Sequence, residues 1–283
     1  MPRTEGRLSL QFVYDADRAR TRLQVLEQRQ PLKVVRGFDL DDAGALVHLH
    51  NLSGGVLAGD RLSLDVAIGA RARAQITSTG ATRAYRSPAQ AAPAEFVARI
   101  QVGENALLEY LPDPLIPFAG ARYSQRTTVN LSDRAGLFWW ETLAPGREAR
   151  GELFSYDTLR LSCEVRVNGI PIAIEHSHID PALRPLTSLV RLGPYRYLSS
   201  FYICRAGDPQ STWSDLEKQL LRIAEGETSP VIIWGLTRLP AHGLVVRALS
   251  QNGRDIARGL VSFWRAAKQA LYGQDAVLPR KVY

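Results

Sequence analysis

Two histidine pairs and a handful of carboxylates carry most of the chemistry open to this sequence. His48 and His50 stand two residues apart, as do His176 and His178, the latter followed by Asp180. On a strand, residues two apart share a face, so either pair would present two imidazoles to one metal ion. A metal-dependent hydrolase using His176, His178 and Asp180 is one reading. The carboxylates suggest another. Trp139-Trp140-Glu141 sets an acid beside two large apolar rings, and Glu152 follows Gly146-Arg147-Glu148-Ala149-Arg150-Gly151. A carboxylate in apolar surroundings is costly unless paired, and Arg147 or Arg150 are candidate partners for one. A structural ion pair is the default; a carboxylate that handles a metal or a proton is the sharper alternative.

His176-Ser177-His178-Ile179-Asp180 is similar to the start of the His-x-His-x-Asp-His signature of binuclear zinc hydrolases, but Pro181 stands where the last histidine belongs. Only His242 remains downstream, too few ligands for two metals. The two cysteines, Cys163 and Cys204, sit in alternating apolar segments and read as buried free thiols in a reducing compartment.

The glycine stretch Gly54-Gly55-Val56-Leu57-Ala58-Gly59-Asp60-Arg61 has the Gly-to-Gly spacing of a phosphate-binding loop. That loop needs Lys and then Ser or Thr, followed by a helix whose N-terminus holds phosphate. Here Asp60 and Arg61 follow, and the next residues alternate as a strand. Nucleotide binding is therefore excluded. Gly54, Gly55 and Gly59 read as a structural loop giving backbone clearance at a tight crossing, with Asp60 either a cap on neighbouring N–H groups or an internal carboxylate.

The elements that must position these residues are mostly strands. Leu62, Leu64, Val66 and Ile68 alternate with small or polar residues, the period of a strand with one buried face. Three units repeat one form, a strand, a tight turn and an Ala-led strand: Ile68-Gly69-Ala70-Arg71-Ala72, Val102-Gly103-Glu104-Asn105-Ala106 and Leu131-Ser132-Asp133-Arg134-Ala135. Their alanines are 34 and 29 residues apart. A strand-built repeat of this length predicts stacked layers, as in a β-helix or a multi-sheet sandwich. Asn168-Gly169 between alternating runs predicts a hairpin. Two helices are expected in the C-terminal third. One is capped by Thr212 with Asp215, carries Trp213, Leu216, Leu220 and Ile223 on one face, and ends at Gly226. The other is capped by Asn252 and stopped by Gly273, with Ile256, Leu260, Phe263, Ala267 and Leu271 as its stripe. The chain reads as one domain over residues 1–283, mainly β, in a layered β-helix-like, multi-sheet fold.

With 283 residues, 45% hydrophobic and 22% charged, the composition is that of an ordinary globular chain. The net charge of +7 is scattered, which argues against a nucleic-acid stripe. No apolar run suggests a signal peptide or a membrane span. A cytoplasmic protein is expected.

Taken together, the motifs resemble the urease accessory protein D family (UreD, also called UreH). The glycine stretch through Leu62 resembles its Gly-Gly-x-x-x-Gly-Asp-x-Leu segment, and Gln75 to Ser87 its Thr-rich segment ending Tyr-Arg-Ser. Leu111-Pro112-Asp113-Pro114 with Phe118-Ala119-Gly120-Ala121-Arg122 resembles its Leu-Pro-Gln and Phe-x-Gly-Ala-Arg segments. Gly146-Arg147 with Gly151-Glu152-Leu153-Phe154 resembles a further one, and Val277-Leu278-Pro279-Arg280 its ending. Ala58 and Asp113 replace the family's usual Gly and Gln, and Arg83 stands where Lys is frequent. The resemblance implies a non-catalytic scaffold and nickel chaperone that binds accessory protein F, through it the accessory GTPase G, and docks on apo-urease. It allows a homodimer in that complex. It also implies an internal channel for nickel, held transiently and weakly, with no tightly bound cofactor. Sparse carboxylates suit such a path better than Cys/His sites that would trap the ion. Asp60, Glu141 and Glu152 are the path-lining candidates, with Glu175 and His176 behind them.

Overall fold

The computed structural model describes residues 4–279. Its strands are, in chain order, β1 (Glu5–Asp15), β2 (Arg20–Arg29), β3 (Leu32–Lys33), β4 (Gly37–Asp39), β5 (Ala45–Asn51), β6 (Arg61–Ile68), β7 (Arg73–Ser78), β8 (Thr82–Ala84) and β9 (Ala94–Val102). There follow β10 (Leu107–Leu111), β11 (Leu115–Pro117), β12 (Arg122–Leu131), β13 (Gly136–Leu143), β14 (Thr158–Val167), β15 (Ile170–Ile179) and β16 (Tyr197–Arg205). Helix α1 (Gln210–Glu227), β17 (Ile232–Arg238), β18 (Gly243–Ser250) and helix α2 (Gly253–Tyr272) complete it. Neither helix is long and apolar enough to cross a membrane.

The strands form two sheets. One has the order β15-β14-β12-β9-β6-β1-β2; the other runs β17-β18-β16-β13-β10-β7-β5-β3, with β4, β8 and β11 attached. From β5 to β14 the chain steps from one sheet to the other at each of three tight turns, so neighbouring strands of one sheet lie a full coil apart and pair in parallel, whereas β1-β2, β14-β15 and the strands from β16 to β18 pair antiparallel. The repeat is the coil: Ala74 pairs with Leu108 and Leu108 with Leu137, the spacings of 34 and 29 read from the alanines. The three turns share one geometry. The N–H groups of Ala72, Ala106 and Ala135 donate back to Gly69, Gly103 and Ser132 at 3.0, 3.1 and 3.1 Å. The residue before each alanine is left-handed (Arg71, φ 63°; Asn105, φ 55°; Arg134, φ 54°). Adjacent turns then bond to each other, Arg71 N–H to Glu104 O and Asn105 N–H to Asp133 O. Each alanine is fully buried where the turn meets the core.

A core rich in aliphatic side chains fills the space between the sheets, and a second core lies between the outer face of the larger sheet and the two helices. Strand β13 serves both: Leu137 and Trp139 point inward, Phe138 and Trp140 outward to the helices. Trp213 and Trp264 are buried in the helix-facing core. Helix α2 matches its sequence signals, with Asp255 N–H donating to Asn252 Oδ1 at 3.0 Å and Gly273 left-handed at φ 62°. Helix α1 differs. Pro209, with φ −69°, occupies the N-cap and no side chain caps it, so Thr212 falls in the first turn. The helix also passes through Gly226 and stops at Glu227, because the Thr228 N–H still reaches Ala224 O while its own backbone turns extended. The Asn168-Gly169 hairpin forms with both residues left-handed, at φ 49° and 81°.

Candidate functional site

On β12, Tyr123, Gln125, Thr127 and Val129 point inward by the strand's period of two. On β13 the inward positions are Leu137, Trp139, Glu141 and Leu143. The two strands belong to opposite sheets, and Gln125 meets Glu141 across the gap: Gln125 Nε2 donates to Glu141 Oε1 at 2.5 Å. The Tyr123 hydroxyl donates to Gln125 Oε1 at 2.9 Å, which fixes the amide's orientation. A polar bridge thus spans the interlayer.

Two cavities meet at this bridge. The larger, about 310 Å³, runs from exposed Gly54, Thr79, Gly80 and Arg83 inward past His50, Tyr110 and Tyr123. The smaller, about 80 Å³, is lined by Cys163, Glu175, exposed Ser177, Ser200 and Tyr202. Leu115, Gln125, Glu141 and Thr142 line both. Glu141 is enclosed by protein yet keeps some accessible surface, which faces these cavities. Burial, and then the nearby Glu175 carboxylate, push the Glu141 carboxyl up to about 8, against the hydrogen bond from Gln125. Glu175 is ion-paired with Arg247. Cys163 Sγ lies 3.1 Å from the Tyr202 hydroxyl, and burial raises the thiol to about 12, which keeps it protonated.

The sequence candidates fall into three groups. Glu141 and Glu175 line the cavities, and Gly54 and Gly55 form part of the larger mouth. A Cβ on Gly55 would lie 2.6 Å from Arg83 O and collide with the Tyr85 ring, so the glycine is required by close approach. Asp60 and Glu152 lie on neither cavity wall. The buried Asp60 carboxylate accepts from Leu57 N–H at 2.9 Å and closes the loop locally, with Gly59 left-handed at φ 82° beside it. Glu152 forms a two-pronged ion pair with Arg147 and accepts from Ala119 N–H at 3.1 Å; the guanidinium holds its carboxyl below the usual range. Arg147 in turn stacks on Phe118, 4.2 Å from the ring centroid. His176 and His178 are exposed on the face of β15 opposite Glu175. His178 contacts Thr158 Oγ1 at 3.2 Å, and Asp180 caps the Leu183 N–H. Among the described residues no three of His, Cys, Asp and Glu gather as a metal site, so the hydrolase constellation does not assemble.

Gln125, Tyr123, Ser200 and Tyr202 were not among the sequence candidates. The available signal was a polar residue in the inward register of an alternating strand. A second polar group inside the protein escaped in the same way. Lys268 of α2 is fully buried and bonds Glu109 Oε1 at 3.0 Å, Trp264 Nε1 donates to the same oxygen at 2.9 Å, and Lys268 also reaches Asp42. Burial pushes the Glu109 carboxyl up, opposed by Lys268. This pair pins α2 to the sheet and borders neither cavity.

Comparison with known proteins adds the family. A family model described as UreD urease accessory protein matches residues 4–283. A urease accessory protein UreD of Herpetosiphon aurantiacus is 45% identical over 100% of this chain and 98% of its own length. A UreD of Pseudomonas aeruginosa is 32% identical over 88% of this chain and 85% of its own, and one of Bacillus sp. TB-90 is 27% identical over 88% and 89%. With the model spanning nearly the whole chain and a full-length relative at this identity, the chain belongs to the UreD urease accessory protein family.

Proposed function

We propose that this protein is a non-catalytic scaffold of urease maturation in the cytoplasm, and that it helps deliver nickel to apo-urease by letting the ion pass between its two sheets. The observation that supports this reading is the pair of cavities sharing the Gln125–Glu141 wall, each with exposed residues at its rim. Nickel is the cargo, and the walls suit a cargo. Their donors are mainly carboxylate, amide and hydroxyl oxygens, with His50 near the outer mouth. Burial, then the charges of His48 and Lys33, lower the pKa of His50, which keeps it neutral and able to coordinate. Oxygen donors at low density hold Ni²⁺ weakly and release it, whereas thiolate or clustered imidazole would retain it. The one thiol on the wall, Cys163, stays protonated.

In this reading the chain works in a complex with accessory protein F, which recruits the accessory GTPase G, and the complex docks on apo-urease. The test is complementation. Cells expressing urease with the other accessory proteins but lacking this one are expected to make nickel-poor, inactive enzyme. Supplying this chain restores both nickel content and activity, and the chain co-purifies with accessory protein F. Full urease loading in its absence would remove the function.

A further inference from the structure

The neck between the two cavities carries a specific choice of side chain. Four residues line both cavities, and of these only Glu141 is ionisable. The side chain facing it from the opposite sheet is Gln125, an isostere of glutamate, held by a hydrogen bond at each end of its amide. In the observed rotamer the amide bridges the layers and separates the cavities. A carboxylate in its place would set a second acidic side chain against Glu141, and two carboxylates that part to about 3 Å, the separation of adjacent oxygen ligands at about 2.1 Å from one ion, form a divalent-cation site. Building on the nickel-passage reading above, we infer that Gln125 keeps this neck a transit point: its amide bars the neck at rest, yields to a passing cation, and adds no second charge that would hold the ion.

The inference predicts opposite behaviour for two substitutions. Gln125→Glu converts the neck into a dicarboxylate clamp. The purified complex with accessory protein F should then retain on the order of tenfold more Ni²⁺ after desalting than the parent complex, by elemental analysis, and urease loading should fall in step. Gln125→Ala removes the bar without adding charge. It should retain no extra nickel and load urease at least as fast as the parent. Circular dichroism and co-purification establish that each variant is folded. A third variant, Ser200→Trp, fills the smaller cavity from an inward-facing position on β16. If Ser200→Trp loads urease normally, passage through the cavities is wrong and the role of Gln125 falls with it. If Ser200→Trp blocks loading while folded Gln125→Glu releases nickel and loads urease like the parent, passage stands and the inference is overturned. Loss of loading by folded Gln125→Ala would overturn it equally. Should Gln125→Glu fail to fold, the Gln125→Ala result decides.

Discussion

Replacing Glu141 by glutamine keeps the bridge to Gln125 and removes the titration. The wild-type carboxyl has an ordinary value of 4.5 and is raised to about 8 in the folded chain. A raised carboxyl contributes stability that is whole below the unfolded value and is lost as pH climbs towards the folded one, because there the folded state binds more protons than the unfolded. From pH 5 to pH 8 the wild type therefore loses stability at this site and the Gln variant does not. At about 1.4 kcal/mol per tenfold, the full shift corresponds to an upper bound of about 4 kcal/mol over that range. The carboxyl keeps accessible surface in the cavity, and discounting for that screening leaves about 2 kcal/mol. For a chain of this size that is a difference of about 4 °C in Tm. The assay is calorimetric or fluorescence melting of both proteins at pH 5 and pH 8. The Tm advantage of Glu141→Gln over wild type should grow by about that amount between the two. An advantage that is the same at both pH values would refute the burial of a titrating carboxylate at the neck.

Two further predictions separate scaffold from site. Lys268→Met strands Glu109 in the core and should cost about 3–5 kcal/mol in denaturant unfolding, with most of that recovered by adding Glu109→Gln. Glu152→Ala breaks a partly exposed ion pair with Arg147, should cost about 1 kcal/mol or less, and should leave urease loading unchanged, since Glu152 borders neither cavity.

Local geometry was legible where one local signal acts unopposed. The coil period could be read from Ala72, Ala106 and Ala135 because a left-handed turn residue and a fully buried inward position tolerate few alternatives. The hairpin at Asn168-Gly169 and the caps of α2 followed for the same reason. The start of α1 did not, because Pro209 competes for the cap and its fixed φ wins over the Thr212 side chain. The site was legible only in part. Glu141 and Glu152 are both acids near aromatic or arginine neighbours in the chain, and what separates them lies in the other sheet: Gln125 and a cavity face Glu141, whereas Glu152 is satisfied within its own loop by Arg147. An inward polar residue shows in the strand pattern, but which residue it meets across the layers, Gln125 with Glu141 or Lys268 with Glu109 from 159 residues away, depends on the winding of the coil.

The central claim, that nickel travels between the sheets, is tested most directly by following the metal. Radioactive nickel supplied to the complex of this chain with its accessory partners and apo-urease should appear in urease when the wild-type chain is used. The Ser200→Trp chain should cut that transfer by on the order of tenfold while leaving the complex intact, since a filled cavity imposes a steric barrier whereas a surface route would feel none. Wild-type transfer of the label through an intact Ser200→Trp complex would contradict the account.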